Sequence, residues 1–292
     1  MPHNDNIPIV ELPMKLKFGE KQETGFLTEK EAIKVIMISK PQENFRENCY
    51  RQIMSTWKDI PVTEIDLLKN KDEIQKTFIQ LLKGETLPNS MEGLQFTFLI
   101  KGLTHVDISH MLRHRTFSSI HSLCSGDRDL RFDNVMIPES IKNSEFSKEY
   151  ELLSKRCKEL YCKMVDSKKI SLMDARLILN RNHCYYYFTM NLKDAIAFIN
   201  QRKCTQIQPY TDNLIAKGIY DNIVSIIPEV ADVISLKCDE RCHYIRTANT
   251  GKATNLYLPD KTHDCFDWNS DNFIYKKRRN EMGIPKTIQD ES

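Results

Sequence analysis

Leu94 to Ile100 reads LQFTFLI, an aromatic and branched run with partial alternation, and it marks a strand in a chain whose other long patterns are helical. Gly102 is expected to end it. Helical spacing covers 28–37, 64–83 (Leu67, Ile74, Phe78, Ile79, Leu82), Glu145–Val165, Leu172–Leu179, Asn191–Arg202 and Thr211–Ile227, where Pro228 stops the last helix. Residues 84–93 form a loop, and two further strands are expected at 8–18 and 132–137. Helices with a few strands define an α+β domain.

After Gly102, residues Val106, Ile108, Met111, Leu112 and Arg115 follow a helical spacing, which sets Arg113-His114-Arg115 near a helix end. Consecutive helical side chains leave the axis about 100° apart, so the three can reach different parts of one large ligand. An arginine fork pairs with phosphate oxygens or with a carbonyl gaining negative charge. The cluster points to an anionic cofactor or nucleotide; taken alone it fits a solvated basic turn or an internal ion pair equally well.

The chain has 292 residues, long enough for one large domain, and its 40% hydrophobic and 28% charged content is that of a soluble protein. A net charge of +2 gives no general drive toward nucleic acid, so no DNA or RNA partner is expected. No run approaches a membrane span, and the start MPHNDNIPIVELP has no basic segment followed by an apolar one. Nine scattered cysteines suit reduced thiols. These features lead to the expectation of a cytoplasmic protein with no membrane partner. There is no internal repeat or low-complexity linker, so residues 1–270 are expected to form one domain, with 271–292, including Lys276-Lys277-Arg278-Arg279, as a basic tail.

A longer series of motifs surrounds the cationic cluster. Glu92 and Phe96-Thr97-Phe98 precede it, and Phe117 and Ser118 follow it. Next come Arg131-Phe132, then Val135, Pro138, Glu139 and Ile141, then Ala175-Arg176-Leu177-Ile178-Leu179 and Thr189-Met190-Asn191-Leu192-Lys193. Phe198-Ile199-Asn200-Gln201-Arg202 and Gln208 close the series. In order and rough spacing this resembles the flavin-dependent thymidylate synthase family across residues 84–210, with a weaker echo at 28–39. The segment between Ser118 and Arg131 is longer than the family loop, and Asp129 stands where the family has Ser. Setting Ser125-Gly126-Asp127-Arg128 against that element is the other alignment; Arg131-Phe132 is preferred because strand-like 135–137 and Pro138-Glu139 follow it. His110 stands where a Gln is usual, Tyr185 where an Arg contacts the nucleotide, and Tyr210 to Asp212 lack the Arg that follows the Gln.

The resemblance implies a central, mostly antiparallel sheet with long helices, FAD as cofactor, methylenetetrahydrofolate and NADPH as cosubstrates, and a homotetramer whose sites draw on more than one subunit. It implies transfer of a one-carbon unit to carbon 5 of deoxyuridine monophosphate, giving thymidylate. Flavin contacts are expected from Glu92, Arg113, His114, Arg115, Asn200 and Arg202. Nucleotide contacts are expected from His110, Ser118, His121, Asp129, Arg131, Tyr185 and Gln208. Arg113, Arg115 and Arg131 are the catalytic candidates, because fixed guanidinium donors stabilise charge building on the pyrimidine carbonyls. The replaced arginines keep open a sister enzyme that alkylates another pyrimidine nucleotide, with a methyl or hydroxymethyl product, or a non-catalytic nucleotide or flavin binder.

Three other constellations carry less. Cys238, Cys242, His263 and Cys265 supply zinc-type ligands, but their spacing is not that of a standard finger and free cysteine is commonly a small buried apolar residue. His110 and His114 sit four apart, yet Met111 replaces the Glu that a zinc protease helix needs. Cys124 and Ser125 near His121 and Asp127 could form a nucleophile pair, but proximity within a loop does not fix geometry.

Overall fold

The computed structural model describes residues 25–58, 61–113, 118–122, 129–131, 133–179, 184–203 and 210–234. The expected strand at 8–18, His114, Arg115, Gln208, the alternative Ser125–Arg128 element, the Cys238–Cys265 cluster and the basic tail lie outside those residues. In chain order the elements are β1 (Phe26–Leu27), α1 (Glu29–Ala32), β2 (Lys34–Ser39), α2 (Phe45–Met54), α3 (Glu64–Lys69) and α4 (Lys71–Leu82). Then come β3 (Gln95–Leu103), α5 (His105–Met111), β4 (Ser118–Ser122), β5 (Val135–Met136) and α6 (Glu139–Lys142). The last are α7 (Ser147–Asp166), α8 (Leu172–Ala175), β6 (Cys184–Asn191), α9 (Leu192–Arg202) and α10 (Tyr210–Val224). Among the described residues, no helix is long and apolar enough to cross a membrane.

The centre is a four-stranded antiparallel sheet in the order β2-β3-β6-β4, beside a short parallel pair, β1-β5. One face of the sheet is almost wholly apolar. Phe96, Phe98 and Ile100 of β3 stand beside Tyr186, Phe188 and Met190 of β6, all fully buried, with Phe98 and Phe188 stacked at 5.6 Å. Ala195, Phe198 and Ile199 of α9 and Ile215, Ile219 and Ile223 of α10 cover that face. Such side chains gain roughly 1.5–3 kcal/mol each on leaving water, so this layer dominates stability.

Three expectations are corrected. Residues 28–37 do not form one helix: Thr28 caps a single turn with a capping box to Glu31, and the chain then becomes β2. Val35 and Met37 face the core while Lys34, Ile36 and Ile38 take the other face, an alternation of branched and apolar residues that a sheet edge uses better than a helix. The pattern over 64–83 is two helices because Asn70 leaves helical geometry (φ −116°, ψ 36°), standing as the C-cap of α3 and the N-cap of α4. Gly102 does not end β3. It is the extra residue of a bulge between Lys101 and Leu103, at φ +81°, and the strand resumes at Leu103.

Gly102 also lets α1 approach. A Cβ there would lie 2.2 Å from the backbone oxygen of Ala32. Gly218 does the same for α10 on β2, where a Cβ would fall 2.6 Å from Val35 Cβ. Gly102→Ala is expected to cost at least about 2 kcal/mol, the left-handed strain plus a backbone clash, whereas Gly84→Ala costs about 1 kcal/mol. Gly84 has a similar φ of +73° but nothing within 4 Å of the added atom, so equal melting-temperature losses for the two variants would refute the close-approach reading.

Candidate functional site

The family-type positions fall into three groups. At the C-terminal end of α9, Arg202 is buried and pairs with Asp212 in the first turn of α10, Nη1 to Oδ2 3.0 Å. An aspartate at a helix N-terminus is favoured by the helix dipole, and here it also balances a buried guanidinium. Asn213, next along α10, donates from Nδ2 to the Arg202 carbonyl oxygen at 2.6 Å, which closes the end of α9. Burial lowers the Arg202 pKa, Asp212 opposes this, and Arg113 lowers it further. Arg113 sits exposed in the turn after α5. The Arg113 charge therefore acts on Arg202, whose own partner is the Asp212 carboxylate.

Asn200 is half-buried on the same helix. Two residues from Arg202, it leaves α9 on a different side, about 200° round. Glu92 is at the other end: its Oε1 accepts from Lys193 Nζ at 2.8 Å in the first turn of α9. The ends occupied by Lys193 and Arg202 are separated by roughly 14 Å along the axis at 1.5 Å per residue. Asn191 fixes the start of α9 by accepting from the Asp194 N–H at 2.8 Å.

The second group is on the other face of the sheet. Ser118 of β4 lies opposite Thr189, and His121 lies opposite Tyr187. Tyr185, two residues along β6, shares that face and meets Tyr187 edge-to-face at 6.0 Å. The structure thus brings His121 and Tyr185 together, with Tyr187 between them. The third group is Asp129 and Arg131. Arg131 Nε donates to Asp129 Oδ2 at 2.6 Å and Nη1 donates to Asp166 Oδ1 at 2.6 Å, so a phosphate at this guanidinium competes with two carboxylates. His110 lies on α5.

Several residues of these groups were not found from the sequence. Lys158 of α7 is buried and donates to the carbonyl oxygens of Leu130 and of Asp133, the latter at 2.9 Å. Tyr161 Oη accepts from the Leu130 N–H at 3.0 Å. Together they pin the backbone on both sides of Arg131. Burial pulls the Lys158 ammonium down to about 8. At the start of α10, burial pushes the Tyr210 phenol up to about 12, with Glu139 and Glu29 adding to the shift. A lysine in the middle of an exposed-looking helix gives no sequence sign of such a role. Asp212 had one available sign, an acid just inside a helix start.

An antiparallel sheet packed on one side by α9 and α10, with paired charges at the helix junction, is an α+β architecture. A profile described as "Thymidylate synthase complementing protein" matches residues 34–229, two thirds of the chain, and the protein belongs to that family. Among solved structures, the UMP/dUMP methylase PolB from Streptomyces cacaoi bound with 5-Br dUMP is similar, with a TM-score of 0.55 and 13% identity over 72% of this chain and 96% of that one. The same methylase bound with 5-Br UMP matches at a TM-score of 0.55 and 14% identity, over 72% and 95%. At that identity the likeness is one of fold. None of the curated proteins compared gives a significant match.

Arg202→Met is expected to lower stability by about 3 kcal/mol because it strands a buried carboxylate, and Arg202→Met with Asp212→Leu should recover most of that loss in chemical denaturation. A double variant no more stable than the single one would show that the pair is not the reason. Lys158 gives a pH signature. Its unfolded form keeps the proton to about 10.5 and its folded form releases it near 8, so between these values the unfolded state binds more protons and wild-type stability relative to Lys158→Met rises with pH. Melting curves from pH 7.5 to 10 that show the opposite trend would exclude a buried, hydrogen-bonded Lys158.

Proposed function

We propose that this chain catalyses flavin-dependent transfer of a one-carbon unit from methylenetetrahydrofolate to carbon 5 of deoxyuridine monophosphate, with NADPH as reductant, as a cytoplasmic homotetramer. Its family membership supports pyrimidine nucleotide methylation at a coarse level, and the similar methylase is named for UMP and dUMP. The observation that carries the flavin reading is the buried Arg202–Asp212 pair at the end of α9, with the Arg113 charge close enough to act on Arg202.

The donor set fits FAD. Arg113 and Arg202 offer charge-assisted hydrogen bonds of the kind a pyrophosphate or an electron-rich ring accepts, and Arg202 is preoriented by Asp212 and by the closed end of α9. His114, Arg115, Asn200 and Glu92 complete the expected set. When bound, the flavin supplies the reducing equivalents for the transfer. The chain's own residues bind and orient: arginine donors fixed against the pyrimidine carbonyls stabilise the negative charge that makes carbon 5 nucleophilic. Because Glu92 and Arg202 mark opposite ends of α9, a site using both is either long or completed by a second subunit, which is consistent with a tetramer.

A second reading is favoured by one observation. Tyr185 occupies the position of an arginine expected to contact the nucleotide, and its phenol meets Tyr187 on a face shared with His121. That change suits an altered pose or a second pyrimidine nucleotide, UMP included.

The test begins with the visible spectrum. Protein loaded with FAD and desalted is expected to keep bands at roughly 375 and 450 nm, and to release tritium from carbon 5 of labelled dUMP or UMP. Arg113→Ala, at an exposed turn, should keep its melting temperature, since such surface changes stay within about 0.5 kcal/mol, yet lose most of the bound flavin. A colourless protein that cannot be loaded would overturn the flavin reading. Flavin binding without tritium release from any pyrimidine nucleotide would leave only a binding role.

A further inference from the structure

One rung of the sheet carries a charge pairing that the fold itself does not need. Lys34 of β2 lies directly opposite Lys101 of β3, and Lys101 lies directly opposite Tyr185 of β6. Directly opposed residues share a face with their Cβ atoms about 5 Å apart, where like charges are unfavourable. Lys34 is exposed and Lys101 half-buried, and among the described residues neither is ion-paired with a carboxylate. Acids are not scarce: the chain has 40, and Lys193 and Lys217 each have one at 2.8 and 2.7 Å.

The same face is graded along the strands. Beyond the Lys34–Lys101–Tyr185 rung comes Ile36–Leu99–Tyr187, with exposed His121 opposite Tyr187. Beyond that, Thr97 and Thr189 bring their hydroxyls within 3.0 Å of each other. Successive rungs on one face are roughly 7 Å apart. That step is comparable to the separation of phosphate and base in a nucleoside monophosphate. The two ammonium groups therefore share a rung with the Tyr185 phenol and lie one rung from that of Tyr187, a spacing that suits a dianionic phosphate beside the first ring and the sugar and pyrimidine toward the second.

We propose that Lys34 and Lys101 form the phosphate subsite for the pyrimidine mononucleotide, with Tyr185 and Tyr187 walling its sugar and base. This rests on the nucleotide reading above and deepens it. Lys101 places its charge directly across the ladder from Tyr185. Lysine binds phosphate as a compact charge on a flexible stem, so two of them on one rung can close on the same dianion.

Binding of dUMP, UMP and their nucleosides to the purified full-length chain, with and without FAD, by titration calorimetry tests this. The monophosphates should bind the wild type far more tightly than the nucleosides. Lys34→Gln and Lys101→Gln should each weaken nucleotide binding by roughly tenfold and leave nucleoside binding unchanged, and the double variant should abolish the preference. Lys101→Arg should retain it. The ligand-free glutamine variants should melt at or above the wild-type temperature, because a repulsive pair has been relieved; a lowered melting temperature would assign the lysines to the fold instead. A double variant that still prefers monophosphates overturns the subsite and leaves the nucleotide reading standing. A wild type that binds neither nucleotides nor nucleosides overturns both.

Discussion

The ladder between β3 and β6 is the constraint on which the other elements depend. Its register sets Phe98 beside Phe188 and Ile100 beside Tyr186 on one face, and a slip of one residue would exchange that apolar face for Lys101, Thr97, Tyr185 and Thr189. Because the buried face is aromatic on both strands, the cost of a slip is many kilocalories per mole, and the register is unique. The helices then have one place to go. α9 and α10 cover the aromatic face, and Gly218 lets α10 sit directly on Val35 of β2.

The polar chemistry follows from that packing. Once α9 and α10 lie side by side on the sheet, the last residue of one meets the first turn of the other, and Arg202 is buried against Asp212. The same junction brings Arg113 from the end of α5 close enough to oppose the Arg202 charge. On the reverse face the register that protects the core necessarily aligns Lys34, Lys101 and Tyr185 in a row. A fixed register therefore generates two cationic places, one at a helix junction and one on a sheet face.

Much of the fold was legible because its signals are local. The strand over Leu94–Ile100 and the helices at 145–165, 191–202 and 211–227 match β3, α7, α9 and α10 closely. β6 was not anticipated, since Tyr185-Tyr186-Tyr187-Phe188 is aromatic on both faces and shows no alternation to read. β2 was hidden by the capping box before it, a true helix start that lasts only one turn. Of the site positions, Arg113, Arg202, His121 and Tyr185 could be named from motif order. Lys34, Lys101, Lys158 and Tyr161 could not, because each matters through a partner far along the chain.

The sequence by itself determined the α+β class, the family and the arginine-rich segments, since these depend on residue type, periodicity and motif order, which are properties of neighbours in the chain. Tertiary structure alone decided which charges meet. Arg202 finds Asp212 only through helix packing, Arg131 is held by Asp166 from the end of α7, and Lys34 faces Lys101 only through strand register. Electrostatic interaction depends on distance in space, and separation along the chain does not report it until the ladder is closed.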